Sequence, residues 1–151
     1  MSASAKLTEL GVTLPEVVKP LAAYVPAVRS GNLVFTAGQL PLSDGKLVGT
    51  GKVGAGVSAE QARQLARVCA LNALAAVHSV VGIDSVRRVV KVVGFVASAP
   101  GFSGQPGVIN GASELLGEVF GEAGAHARSA VGVAELPLDA PVEVEMIVEV
   151  S

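Results

Sequence analysis

The chain has 151 residues, half of them hydrophobic, with 11 Lys plus Arg against 13 Asp plus Glu for a formal charge of −2. That length fits one domain, residues 1–151, large enough to bury a real core, and with 3% aromatic residues and no Trp the core must be Val, Ala and Leu. The charge balance leaves no basic footprint for nucleic acid and no polybasic run for an anionic membrane surface.

Residues 1–20 read as an N-terminal extension: a short helical piece around Ala5–Leu10, then a stretch bounded by Pro15 and Pro20. Tyr24–Arg29 and Asn32–Ala37 are strand-like and flank a tight Ser30-Gly31 turn, a hairpin signal. Residues 38–57 form a Gly-rich loop with one short strand near Lys46–Val48.

The clearest helix runs from Ser58 to Val81, opened by a Ser58/Gln61 capping box and closed by Gly82. Ala62, Leu65, Ala66, Cys69, Ala73, Val77 and Val80 recur on one of its faces. Arg63, Gln64, Arg67 and His78 interrupt the apolar run, so this is a core helix and not a membrane span. His78 reads as a helix-surface or satisfied core histidine. Cys69, the one cysteine, has no internal disulfide partner and reads as a small buried hydrophobe. Lys6, Glu9, Glu16 and Lys19 break up any signal peptide, and the expected setting is the cytoplasm.

Val86–Ala97 is a long β-branched strand in which Gly94 is a candidate bulge. Residues 106–121 form a second helix, with Ile109, Ala112, Leu116, Val119 and Phe120 on one side. Ala127–Leu136 and Val142–Val150 are strands, joined at Pro137–Pro141 by a turn that suits a long hairpin. The order β-β-α-β-α-β-β makes an α+β domain with two helices on one face of a mixed sheet. Leu33, Phe35 and Ala37 oppose Val34 and Thr36, and Val90 and Val92 oppose Val89, Val93 and Phe95. Both sheet faces are therefore apolar, and the uncovered one predicts a homo-oligomer.

Several motifs fail. Gly49-Thr50-Gly51-Lys52-Val53-Gly54 fits a bare dinucleotide string but lacks the acidic residue about 20 positions on, so a flexible loop is the better reading. Lys52 lacks the Gly at 46 and the Ser or Thr at 53 of a phosphate loop. Ser113 in Gly111-Ala112-Ser113-Glu114-Leu115 lacks the second Gly of a nucleophile elbow. His78 and His126 have no metal-ligand spacing.

One stretch survives. Arg128 opens a strand whose same-face neighbours Ala130, Gly132 and Ala134 leave space beside the guanidinium. A planar, permanently charged fork in that setting suits bidentate binding of a carboxylate. The competing reading is a strand-end arginine paired with Glu143 or Glu145.

The segment His126-Ala127-Arg128-Ser129-Ala130, followed by Leu136-Pro137 and Val142-Glu143-Val144-Glu145, resembles the signature of the RidA/YjgF family. Tyr24, Ala27-Val28 and Gly31–Pro41 resemble that family's N-terminal hairpin, so the likeness covers roughly residues 20–150. The resemblance implies a chorismate-mutase-like fold and a homotrimer with clefts between subunits. It implies hydrolytic deamination of reactive 2-imino and 2-enamino acids to 2-keto acids and ammonia, without metal or organic cofactor. By position it implies Arg128 as the carboxylate anchor, Tyr24 and Asn110 in the cleft, Gly38 offering a backbone group, and Glu143 beside the water. The family also carries the names L-PSP endoribonuclease and translation inhibitor, and a non-catalytic trimeric binder of small carboxylates or keto acids is the alternative activity. Ala37, Ala130 and His126 stand where the family usually has serine, cysteine and proline, and residues 108–113 are unusual for its deaminase branch. These departures point to a divergent subgroup with a reshaped pocket, in which His126 is a candidate extra donor or base.

Overall fold

The computed structural model describes residues 1–20 and 22–151; Leu21 lies outside the described residues. The elements are α1 (Ala3–Glu9), β1 (Ala27–Ser30), β2 (Leu33–Thr36), β3 (Leu42–Ser43), β4 (Lys46–Leu47), α2 (Ala59–Val81), β5 (Val86–Ala97), α3 (Gln105–Phe120), β6 (Ala127–Val133) and β7 (Val142–Val150). The main sheet has the order β1-β2-β7-β5-β6, with β5 and β6 parallel and the other pairs antiparallel. Helices α2 and α3 pack against each other and against one face, as the α+β reading expects. The shorter α1 rests on α3.

Helix α2 forms for the reasons visible in its sequence. The Ser58 hydroxyl accepts from Gln61 N at 3.1 Å, and Gln61 Oε1 accepts from Ser58 N at 3.2 Å. Its seven-residue apolar face is buried up to Val77, whereas Val80 is exposed. Gly82 closes the helix at a φ of 77°. His78 Nδ1 accepts from Ile83 N at 3.0 Å, so this histidine caps the helix end. By length and composition α2 is the one described helix apolar enough to cross a membrane, yet its length is spent on the core. Cys69 is fully buried, donating to Val142 O, and burial pushes its thiol well above the ordinary value.

Four local expectations are corrected. Tyr24 precedes β1, and the first hairpin turns on Gly31 and Asn32, because Ser30 pairs with Leu33. Residues 38–57 contain a second small hairpin, β3–β4, turned at Asp44 and Gly45, both with positive φ. The Gly51–Gly54 loop is pinned rather than loose: Gly51, Val53 and Gly54 N–H groups donate to Asp139, Ala97 and Val57 carbonyls. Those amides are then unavailable to a phosphate. Finally, β6 ends at Val133.

Two larger corrections concern the sheet. The strands β6 and β7 do not form a hairpin; β5 lies between them. The Pro137–Asp139 turn, with Leu138 and Asp139 at positive φ, carries the chain across the end of β5. Nor is Gly94 a bulge. It pairs regularly with both Ala130 and Val144, and the irregularities fall between Val86 and Arg88 and between Val89 and Lys91. The second irregularity breaks the alternation, so Val89 and Val92 both face the helices, buried, instead of opposing each other. Gly94 is needed because Ile109 of α3 lies where a β-carbon would be. The open sheet face carries Val28, Phe35 and Val131 exposed, with Val93, Phe95 and Ile147 partly so.

Candidate functional site

Arg128 sits on edge strand β6, paired with Val92, and therefore on the helix-facing side of the sheet. Its half-buried guanidinium is held by α3: Nη1 donates to Asn110 Oδ1 at 2.7 Å and to Ser113 Oγ at 3.2 Å, and Nη2 donates to Pro106 O at 3.3 Å. Three of the five N–H groups are used. The remainder, Nε–H and one on Nη2, keep the capacity to hold an anion. Neither Glu143 nor Glu145 pairs with Arg128, so the strand-end ion pair considered from sequence does not form among the described residues.

Helix α3 is placed by its own contacts. A β-carbon at Gly111 would meet the Arg63 carbonyl of α2, so the helices cross closely there. Arg63 and Arg67 of α2 reach over to Glu114 and Glu118 of α3. These exposed pairs contribute at most about 1 kcal/mol each; the buried face of α3, with Ile109, Ala112 and Leu116, sets the rotation at which Asn110 and Ser113 reach Arg128.

His126 completes the cluster. Its Nδ1 lies 2.6 Å from Gly124 O and its Nε2 lies 2.9 Å from Ser113 Oγ. A carbonyl only accepts, so Nδ1 carries a proton, and in that tautomer Nε2 accepts the Ser113 hydroxyl proton. The result is a line of hydrogen bonds from Gly124 through His126 and Ser113 to Arg128. Gly121 at a φ of 61° ends α3, and the tight turn Gly121–Gly124 brings residue 126 back beside residue 113. Gly124 has no room for a β-carbon, which the Leu116 carbonyl would block. A shallow hollow of about 400 Å³ opens beside Ser113, Gly117, Gly124, His126 and Arg128. Sequence reasoning proposed His126 but missed Ser113. The available signal was the Gly-rich turn after α3, which returns the chain on itself.

Tyr24, Gly38 and Glu143 lie elsewhere. They line a second hollow of about 680 Å³ with Val28, Phe35 and Ala37, on the opposite face of the sheet from Arg128. A paired bridge between Gln39 and Val144 holds Gly38 against β7. Asn72 of α2 secures the loop that follows, donating to Leu40 O and Leu42 O. A β-carbon at position 38 would meet the Glu143 carboxylate, so glycine lets the two lie in direct contact. Burial first, and the neighbouring Glu145 second, raise the Glu143 carboxyl above its ordinary value. Within one chain the six sequence-selected residues thus fall into two groups on opposite sides of the sheet: Arg128, Asn110 and His126 in one, Tyr24, Gly38 and Glu143 in the other.

The comparisons with known proteins agree with this architecture. Residues 14–150 match the family described as endoribonuclease L-PSP. Protein TCP17 of Trypanosoma cruzi is 44% identical over 98% of this chain and 94% of its own. The 2-iminobutanoate/2-iminopropanoate deaminase of Dermatophagoides farinae is 32% identical over 93% and 95% respectively. A crystal structure of a protein of unknown function from Agrobacterium tumefaciens, 48% identical, superposes with a TM-score of 0.91, covering 99% of this chain and 92% of that one. This chain belongs to the endoribonuclease L-PSP family, the RidA/YjgF family that its sequence motifs resemble.

Proposed function

We propose that this protein hydrolyses reactive 2-imino or 2-enamino acids to 2-keto acids and ammonia, in a cleft that two copies complete together. The observation that carries the reading is the Arg128 guanidinium, anchored on α3 with two N–H groups left over beside an open hollow. A fixed bidentate fork of that kind suits a substrate carboxylate. The deaminase named among its relatives supplies the reaction class.

In this reading the carboxylate docks on Arg128 and the imine carbon lies above the hollow. Tyr24, Gly38 and Glu143 of a neighbouring copy close the other side, because no single chain brings them to Arg128. The apolar open face, with Val28, Phe35 and Val131 exposed, supports assembly into the homotrimer. Glu143, whose carboxyl is raised by burial and by Glu145, would give a proton to the imine nitrogen. Imines of this class already react with water, so positioning supplies much of the acceleration. The family's endoribonuclease name is not carried into the proposal. The net charge is −2, and Arg63 and Arg67 are spent on ion pairs with Glu114 and Glu118.

The test couples the protein to an amino acid dehydratase and follows the lifetime of the released imine. Acceleration by the wild type that Arg128→Ala abolishes is the expected result. Tight calorimetric binding of 2-ketobutyrate without any acceleration would instead make the protein a binder of small carboxylates.

A further inference from the structure

We infer that Ser113 and His126 form a proton relay opening onto the Arg128 hollow, which takes the proton of the attacking water and returns it to the departing nitrogen. This rests on the imine-hydrolysis reading and deepens it.

The argument begins with what lines the hollow. Among the described residues it is Ser113, Gly117, Gly121, Gly124, Ala125, His126 and Arg128, with no carboxylate. The acid–base group in the hollow is His126, which lines it beside Ser113 and is hydrogen-bonded to that residue. The polarity of the line is fixed at both ends. Gly124 O holds the Nδ1 proton, leaving Nε2 as the acceptor, 2.9 Å from Ser113 Oγ. At the other end Arg128 Nη1 donates into Ser113 Oγ at 3.2 Å. The hydroxyl proton therefore has one place to point, toward Nε2. An oxygen whose proton is committed to a base, and which sits beside a guanidinium, is placed to receive a second proton as it passes its own on. Gly124 is buried and its carbonyl is met by His126 Nδ1, while Ser113 lines the open hollow, so the ring links a buried carbonyl to a hydroxyl in the hollow.

The steps balance for a protonated imine held by its carboxylate on Arg128. Water oxygen bonds to the imine carbon and the C=N pair moves onto nitrogen. One water proton passes to Ser113 Oγ as the Ser113 proton passes to His126 Nε2, giving an imidazolium still bonded to Gly124 O. The carbinolamine nitrogen then takes the proton back by the reverse path. The C–N pair leaves with nitrogen as ammonia, the carbinolamine O–H pair becomes the carbonyl, and its proton passes through the same relay to the ammonia or to solvent. The products are a 2-keto acid and ammonium.

Four variants and one spectrum test this. His126→Gln keeps a side-chain amide at the position but takes no proton; Ser113→Ala breaks the line. Both are expected to lose about 100-fold or more in kcat for imine hydrolysis, with KM changed less than about threefold, whereas Arg128→Lys mainly raises KM. Added imidazole is expected to restore part of the rate to His126→Ala and none to Ser113→Ala. Nitrogen NMR of the wild type should show His126 protonated at Nδ1 and accepting at Nε2, with the Nε2 resonance moved by saturating 2-ketobutyrate. Unchanged kcat in His126→Gln, or a ring protonated at Nε2, overturns the relay. A wild type with no imine hydrolysis removes the function proposed above. The tautomer and its response to the keto acid then still judge the relay, since an unmoved Nε2 resonance would sink it.

Discussion

Arg128 Nη1 and Asn110 Oδ1 lie 2.7 Å apart, so an α3 amide sets the orientation of a β6 guanidinium across the edge of the sheet. The donor is charged, and such bonds contribute about 1.5–3 kcal/mol. Asn110→Ala leaves the arginine to find a new rotamer and should weaken 2-ketobutyrate binding about tenfold. Asn110→Asp should weaken it further, because a carboxylate there forms an ion pair with the fork and competes with the ligand. Isothermal calorimetry measures both. Equal affinity in wild type and Asn110→Asp would mean that the ligand does not use this arginine.

A second prediction concerns the packing behind the site. Ile109 fills the space over Gly94, at the centre of β5, so Gly94→Ala overpacks the junction between α3 and the sheet. The expected cost is about 1–3 kcal/mol, a fall in Tm of roughly 3–10 °C for a chain of this size. Ile109→Ala removes the obstructing atoms at its own cost in cavity. The double variant should therefore lose clearly less than the sum of the two singles. Additive losses in thermal melts would show that the two residues do not compete for the same volume.

Some of this was legible in the sequence and some was not, for reasons that can be named. The Ser58/Gln61 cap and the buried face of α2 are local, set by residues three or four apart, and were read correctly. The insertion of β5 between β6 and β7 is not local. Leu136 to Pro141 looks like a hairpin turn, and only the pairing of Val92 with both Arg128 and Met146 tells otherwise. The bulge at Val89–Lys91 reverses a face assignment that strict alternation makes. The β3–β4 hairpin had its signal in Asp44-Gly45 but two-residue strands give too little pattern to register. At the candidate site, Arg128 and Asn110 were selected from the family motif and His126 as a departure from it, and the structure brings the three together. Ser113 was set aside because its surroundings lack the second Gly of a nucleophile elbow, whereas here the serine lies on a helix and its partner arrives from the next turn.

Glu143 gives a pH dependence with a definite sign. Burial, and then Glu145, raise its carboxyl in the folded protein. The folded state thus holds this proton more tightly than the unfolded chain does. Its contribution to stability is fully present below the ordinary carboxylate range, near pH 4, and is lost as pH rises through the raised value. Glu143→Gln removes that penalty and should melt about 1–2 °C higher at pH 7, a small effect because the side chain is half exposed. The difference should shrink toward zero near pH 4. A variant less stable than wild type at pH 7 would show that the carboxylate is paired instead of strained.

The proposed shared cleft makes the last prediction. Phe35 is 40% exposed and Val131 44% exposed on a sheet face that no helix covers, and Phe35 also lines the hollow holding Tyr24, Gly38 and Glu143. If copies meet through this face, assembly and ligand capture are one event, because each Arg128 needs another chain's Glu143 half-site. Light scattering should then give a mass of about 45 kDa, three chains of 15.1 kDa. Phe35→Lys and Val131→Asp should drop it toward one chain. Both should also lose 2-ketobutyrate binding by tenfold or more, although neither residue touches Arg128 and the Arg128–Asn110 bond stays intact. Since lysine and aspartate at exposed positions leave the helix-side core untouched, circular dichroism should stay unchanged. A folded single chain that binds the keto acid as tightly as wild type would place the whole site on the Arg128 side of one protomer.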